Sequence, residues 1–146
     1  VDEYLAICKE YNVFPVIELK WGIGLNNNDM TLFPALYALI EKHGLVEEAI
    51  ILTSMKQSLE YIRSNYPQLT CQWLRHKVQD EEYTWCQDWG VDLSVAHTSV
   101  TEDVIAHSKQ IKKDVATWTV NDIADYERVK ELGCKYVTTD CLEINK

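Results

Sequence analysis

No apolar run in these 146 residues approaches the length that a helix needs to cross a bilayer. Basic side chains are also scarce, since 14 Lys and Arg stand against 23 Asp and Glu for a formal net charge of −9. A net negative charge repels nucleic-acid backbones and anionic membranes, which argues against either as the main partner. A local positive site for one phosphate is still compatible with this balance, because net charge does not describe a cleft.

The five cysteines form no C-x-x-C pair, which argues against a zinc site. The reduced thiols of a cytosolic protein are the simplest explanation of this odd number. A secreted protein with buried free thiols fits the same pattern, so the sequence leaves the compartment open.

Residues 21–29, which follow the first predicted strand, have neither the Walker spacing nor the dinucleotide-binding spacing of glycines. This absence argues against a doubly wound nucleotide-binding fold. The segment 26–29, Asn-Asn-Asn-Asp, is rich in oxygen atoms but has no D-x-D-x-D-G alternation of a calcium loop. We therefore predict a long solvated loop here.

Short β-rich runs alternate with stretches of helical spacing along most of the chain, which predicts βα units and a parallel sheet. The runs are nearly all apolar, as expected for strands that are covered on both faces. The predicted strands are residues 13–20, 49–54, 70–74, 91–96, 114–120 and 135–139. The predicted helices between them are residues 32–43, 55–65, 80–89, 100–111 and 121–132.

These elements predict an α/β fold of the TIM-type (β/α) barrel class with helices outside, incomplete because about six of the eight parallel strands are present. We treat residues 1–146 as one partial domain. Residues 1–11 have helical spacing with no capping residue ahead of them, so we expect the two remaining strands upstream of Val1. Without them the sheet has two open edges, and chains could self-associate along those edges.

Several polar residues are placed to begin helices. Thr31 is the predicted N-cap of the first helix after a strand, and Thr98 or Ser99 opens the fourth. Asn121 and Asp122 open the fifth.

Glu18 and Lys20 lie at the carboxyl end of the first predicted strand, where side chains two residues apart point to the same side. One interpretation is a ligand for a hard divalent cation, Ca²⁺ or Mg²⁺, beside a phosphate-binding ammonium group. The other is a surface salt bridge at a strand end.

Other strand ends supply further candidates, because (β/α) barrels place their chemistry there. Trp118 could line an apolar part of a small-ligand pocket or pack in the core. His97 follows a strand, where a general base would be useful, but no partner carboxylate is evident nearby unless Asp140 serves. The other histidines are predicted to lie at a helix end (His43), in a solvated turn (His76) and mid-helix in solvent (His107).

Five segments resemble the glycerophosphodiester phosphodiesterase family. They are Glu-Tyr-Leu-Ala-Ile-Cys-Lys (3–9), Pro-Val-Ile-Glu-Leu-Lys (15–20), Ile-Ile-Leu-Thr-Ser (50–54) and the pair Val-Ala-Thr-Trp-Thr-Val-Asn (115–121) with Gly-Cys-Lys-Tyr-Val-Thr-Thr-Asp (133–140). The resemblance spans essentially the whole chain. It implies a TIM-type barrel and metal-dependent hydrolysis of glycerophosphodiesters to an alcohol and glycerol 3-phosphate.

The resemblance also implies individual roles. It makes Glu18 one carboxylate of a divalent-metal site (Ca²⁺ or Mg²⁺), and it places Lys20 near the substrate phosphate and Trp118 in the substrate pocket. The family's His-Arg-Gly motif, Glu-Asn-Thr motif and second catalytic His-Asp pair have no counterpart in this sequence, and none of the four histidines aligns with the catalytic pair. We therefore assign no catalytic residue and expect the 146-residue chain alone to be inactive.

Two other interpretations stay open. The chain could be a non-catalytic barrel remnant or binding module, or a barrel enzyme of different chemistry, because fold does not fix function.

Overall fold

The computed structural model describes residues 1–20 and 29–143, and within them six helices alternate with six strands. The strands are β1 (Val16–Glu18), β2 (Ile50–Thr53), β3 (Thr70–Arg75), β4 (Asp92–Ala96), β5 (Val115–Trp118) and β6 (Tyr136–Val137). The helices are α1 (Asp2–Tyr11), α2 (Phe33–Lys42), α3 (Lys56–Asn65), α4 (Asp80–Trp89), α5 (Glu102–Gln110) and α6 (Ile123–Leu132), with a 3₁₀ turn at His97–Ser99.

The strands form one sheet in chain order, β1-β2-β3-β4-β5-β6. Strand β2 pairs in parallel with β1 and β3, and β5 pairs in parallel with β4 and β6. This is an α/β fold of the incomplete TIM-type barrel class, as predicted. The loop predicted for residues 26–29 lies almost entirely outside the described residues. Among the helices that are described, none is long and apolar enough to cross a membrane.

The chain divides into two compact units, Val1–Trp73 and Leu74–Lys146. In the first unit, β-branched and aliphatic residues of β2 fill one face of the sheet, and helices supply the rest of the core. Ile51 is in register with Ile17 and Cys71, and in this row Ile51 and Cys71 are buried. The fully buried side chains of this unit include Leu5, Ile40, Ile51, Leu59, Ile62 and Leu69.

In the second unit, successive side chains of the strands point to opposite faces of the sheet. Leu93 and Val95 of β4 are fully buried, and Val95 is in register with Thr117 of β5, which is buried as well. The opposite face carries Ser94 in register with Ala116. The large apolar side chains of Leu93 and Val95 therefore lie on one face of β4, and the small side chain of Ser94 lies on the other.

The sequence located the helices well but misassigned two N-caps. Helix α2 begins after Leu32, because the amide and hydroxyl of Thr31 both donate to the Asp29 carboxylate instead. Helix α5 is capped by Thr101, whose hydroxyl accepts from the Val104 amide at 3.3 Å, because the preceding residues form the 3₁₀ turn.

The caps of α6 agree with the sequence prediction. Asp122 is the N-cap of α6, and its carboxylate accepts from the amides of Ala124 and Asp125. Gly133 ends the helix with φ 102°, a conformation that favours glycine.

Candidate active-site residues

Glu18 and Lys20 contact each other at the end of β1, with the ammonium nitrogen 3.2 Å from a carboxylate oxygen. The side chains are 35% and 74% exposed, so solvent screens the pair and it adds little to stability. The predicted proximity is therefore present, whereas the metal and phosphate roles stay predictions. Because the pair is this exposed, breaking the contact between Glu18 and Lys20 so that each can bind a ligand costs little free energy.

The backbone that carries this pair is fixed by β2. The amide of Leu19 donates to the Leu52 carbonyl at 2.8 Å, which extends the parallel ladder past Glu18. The fully buried Thr53 hydroxyl donates to the Leu19 carbonyl at 3.0 Å and accepts from the Met55 amide at 3.3 Å. One threonine thus ties the end of β1 to the start of α3.

Register also fixes the face on which Glu18 lies. Glu18 is in register with Leu52, and Leu52 with Gln72, so the three side chains share a face opposite the buried row of Ile51. In a (β/α) barrel the helices cover the outer face, and the other face is the interior.

The described residues do not by themselves make a metal site. No group of three or more His, Cys, Asp or Glu side chains in them could hold a metal ion. A hard cation such as Ca²⁺ takes six to eight oxygen ligands, and Glu18 would supply one side chain toward them.

Trp118, the last residue of β5, is half-buried, and its indole N–H donates to the Ser94 carbonyl at 3.2 Å. That bond occupies the only donor of the side chain, so the remaining ring surface can offer only apolar and π contacts. The ring of His76 meets it edge-on, with centroids 5.0 Å apart and planes at 68°. His76 is exposed, as predicted, but it is packed against an aromatic ring and not simply solvated.

Asn121 joins the carboxyl ends of β5 and β6. Its amide nitrogen donates to the Asp140 carboxylate at 3.0 Å, and its oxygen accepts from the Asp140 amide at 2.9 Å and the Thr139 hydroxyl at 3.2 Å. These bonds join the segments 115–121 and 133–140 in the folded chain. They also engage Asp140, the residue considered as a partner for His97.

The carboxylate beside His97 is that of Asp125, at 3.6 Å from Nδ1. Arg128 holds the pair in place, because its guanidinium donates to the Asp125 carboxylate at 3.2 Å and to the carbonyls of His97 and Val100. The sequence did not reveal this partner, since Asp125 lies 28 residues downstream on α6. The 3.6 Å separation is too long for a hydrogen bond.

The other histidines have structural contacts. His43 caps the end of α2, as predicted, and its ring nitrogen lies 2.7 Å from the Asp2 carboxylate. The bonds from His43 and Lys42 lower the pKa of Asp2. His107 is exposed on α5 with its ring 5.1 Å from that of Tyr83.

Solved structures share this fold. A glycerophosphodiester phosphodiesterase from Parabacteroides distasonis matches with a TM-score of 0.78 and 16% identity, over 95% of this chain and 58% of its own. A phosphodiesterase from Oleispira antarctica, solved in complex with the product sn-glycerol 3-phosphate, matches with a TM-score of 0.83 and 13% identity, over 95% and 56%. A glycerophosphodiester phosphodiesterase from Agrobacterium tumefaciens matches with a TM-score of 0.70 and 13% identity, over 96% and 57%.

The chain thus spans less than three fifths of each of these structures. No curated protein sequence matches it. The sequence model of the glycerophosphoryl diester phosphodiesterase family does match, over residues 6–144. That match covers nearly the whole chain and agrees with the resemblance seen in the Glu-Leu-Lys and Trp-Thr-Val-Asn segments, so the chain belongs to the glycerophosphoryl diester phosphodiesterase family.

Proposed function

We propose that this chain is part of a domain that hydrolyses glycerophosphodiesters to an alcohol and glycerol 3-phosphate. The observation that carries the proposal is the family match over residues 6–144 together with the Glu18–Lys20 pair at the carboxyl end of β1. The Oleispira antarctica structure, bound to sn-glycerol 3-phosphate, supports the same chemistry for a protein of this fold.

Each residue has a distinct role in the proposal. The Lys20 ammonium binds a phosphate oxygen and stabilises negative charge that develops there during cleavage. Glu18 gives one carboxylate to a divalent cation, Ca²⁺ or Mg²⁺, which neutralises phosphoryl charge when bound. Trp118 lines the pocket with ring surface. The general acid and base are not assigned to any residue of this chain.

The first test is the 146-residue chain alone, assayed for glycerol 3-phosphate release from glycerophosphocholine with Ca²⁺ or Mg²⁺. We expect no turnover, because no histidine here matches the catalytic pair of the family. Robust turnover that is lost on Glu18→Ala would contradict this prediction.

The second test uses the complete domain, in which the remaining strands accompany these residues. We expect Glu18→Gln and Lys20→Met each to lower turnover by about a hundredfold or more, the scale for loss of one charge-stabilising group. Glu47→Gln is the matched control, since it removes the same charge from an exposed residue ahead of β2, at the opposite end of the strand. A complete domain that releases no product at all would favour the non-catalytic binding module.

A further inference from the structure

The contact between His76 and Trp118 spans a strand. His76 comes directly after β3 and Trp118 ends β5, whereas β4 lies between those strands in the sheet order. The two rings can meet because β4 carries small residues on this face, with Ala96 in register with Trp118 and Ser94 in register with Ala116. A larger side chain at position 96 would separate the rings.

The position of the contact matches that of ligand sites in barrels. Both rings lie at the carboxyl ends of parallel strands, where (β/α) barrels bind their substrates. Trp118 is on the face opposite the buried row of Val95 and Thr117.

The two rings offer complementary chemistry. The indole N–H of Trp118 is used by the Ser94 carbonyl, so Trp118 offers ring surface alone. His76 is exposed, and within the part of the chain that the structure describes neither of its ring nitrogens has a hydrogen-bond partner. An imidazole N–H beside an apolar wall suits a ligand with a short carbon chain and a nearby oxygen acceptor.

The charges around His76 favour an anionic acceptor. The guanidinium of Arg75 lies 2.6 Å from the buried Glu82 carboxylate, which compensates its charge. Lys77, on the other side, is exposed. Among the described residues no carboxylate pairs with Lys77, so His76 stands beside a cation of uncompensated charge, although the whole chain has a net charge of −9.

We propose that His76 is a substrate-binding residue, whose imidazole donates a hydrogen bond to an oxygen of the glycerol 3-phosphate moiety while Trp118 packs against the carbon chain. This inference rests on the proposed function and names a residue that the sequence assigned to a solvated turn. It makes the segment after β3 part of the substrate pocket.

The test is titration of the 146-residue chain with sn-glycerol 3-phosphate, followed by NMR shifts of the histidine ring protons and by calorimetry. His76→Phe keeps a ring against Trp118 but removes the donor, and we expect the Kd to rise about tenfold or more. His76→Gln restores a donor, and we expect its Kd to stay within about threefold of the wild type. Titrations with inorganic phosphate and with glycerol show which part of the ligand the residue contacts.

His107→Phe is the matched control, because His107 is likewise exposed and likewise meets an aromatic ring, that of Tyr83 at 5.1 Å. We expect this variant to bind as the wild type does. Equal binding by wild type and His76→Phe overturns the inference and leaves the proposed function standing, as does an equal loss in His76→Phe and His107→Phe. A wild-type chain that binds neither sn-glycerol 3-phosphate nor phosphate overturns this inference, whereas a complete domain that releases no product overturns the proposed function and, with it, this inference.

Discussion

At the scale of single residues, the hydroxyl of Thr53 fixes the backbone at the end of β1 through two hydrogen bonds. It donates to the Leu19 carbonyl and accepts from the Met55 amide while it is fully buried. The backbone between Glu18 and Lys20 is therefore positioned by a side chain on another strand.

Thr53→Val keeps the shape of this residue and removes both hydrogen bonds. Because the Leu19 carbonyl and the Met55 amide lose a buried partner, we expect the free energy of unfolding to fall by about 1–3 kcal/mol. Urea denaturation measures the change, and Thr53→Ser, which retains the hydroxyl, is the control. A Thr53→Val variant as stable as the wild type would show that the two bonds are dispensable.

Asp92, at the start of β4, is a second residue whose contribution can be measured, here through the pH dependence of stability. Burial raises the pKa of its carboxyl above the ordinary value of 3.8, although the Asp114 amide donates to it at 3.1 Å. A raised pKa means that the folded state disfavours the ionised form. The stabilisation from the protonated form is fully present below the unfolded pKa and is lost as pH rises through the folded pKa.

Asp92→Asn removes this charge and keeps an oxygen that can accept from Asp114. We expect the variant to gain stability relative to wild type as pH rises from about 3 to 7, and to match it at the acidic end. Thermal unfolding at a series of pH values measures this, with the exposed Asp88→Asn as control. A stability difference that does not change with pH would contradict the assignment.

At the scale of elements, the sequence correctly predicted which segments form strands and which form helices. All six strands and the five helices between them occur where apolar runs and helical spacing placed them, because both periodicities follow from backbone geometry alone. The N-caps were harder. Thr31 and either Thr98 or Ser99 are the predicted caps, but the Asp29 carboxylate engages Thr31, and the 3₁₀ turn includes both Thr98 and Ser99.

The candidate site likewise contains one contact that the sequence could predict and others that it could not. Alternation along one strand was enough to bring Glu18 and Lys20 together. It could not pair His97 with Asp125, because that contact joins the turn after β4 to α6 and is held by the Arg128 guanidinium, which bonds to both residues. Nor could it place His76 on Trp118, which requires the small residues of the strand between them.

At the scale of the whole molecule, exposed apolar side chains are concentrated at one end of the chain. We call the exposed side chains of Tyr4, Ile7, Tyr11, Phe14 and Val16 the N-terminal patch. The first three follow helical spacing along α1, and Val16 belongs to β1, the first strand in the sheet order. An apolar stripe beside an edge strand invites association with another strand or chain.

We therefore expect the 146-residue chain to self-associate in a concentration-dependent way, and Ile7→Asp to shift it toward monomer. Sedimentation equilibrium measures the association. Ile123→Asp is the matched control, because Ile123 is similarly exposed (57% against 55%) but lies on α6. A monodisperse, stable monomer of the unmodified chain would contradict this expectation.

The bonds of Asn121 have a consequence for how the chain can be handled. Because its amide binds Asp140 and Thr139, the segment after β6 helps to hold the strand end next to Trp118. Shortening the chain before Thr139, or fusing a tag there, would therefore disturb the proposed pocket from a distance of some twenty residues in sequence. A fusion partner is better attached elsewhere, since Thr139 and Asp140 hold Asn121 in place at the end of β5.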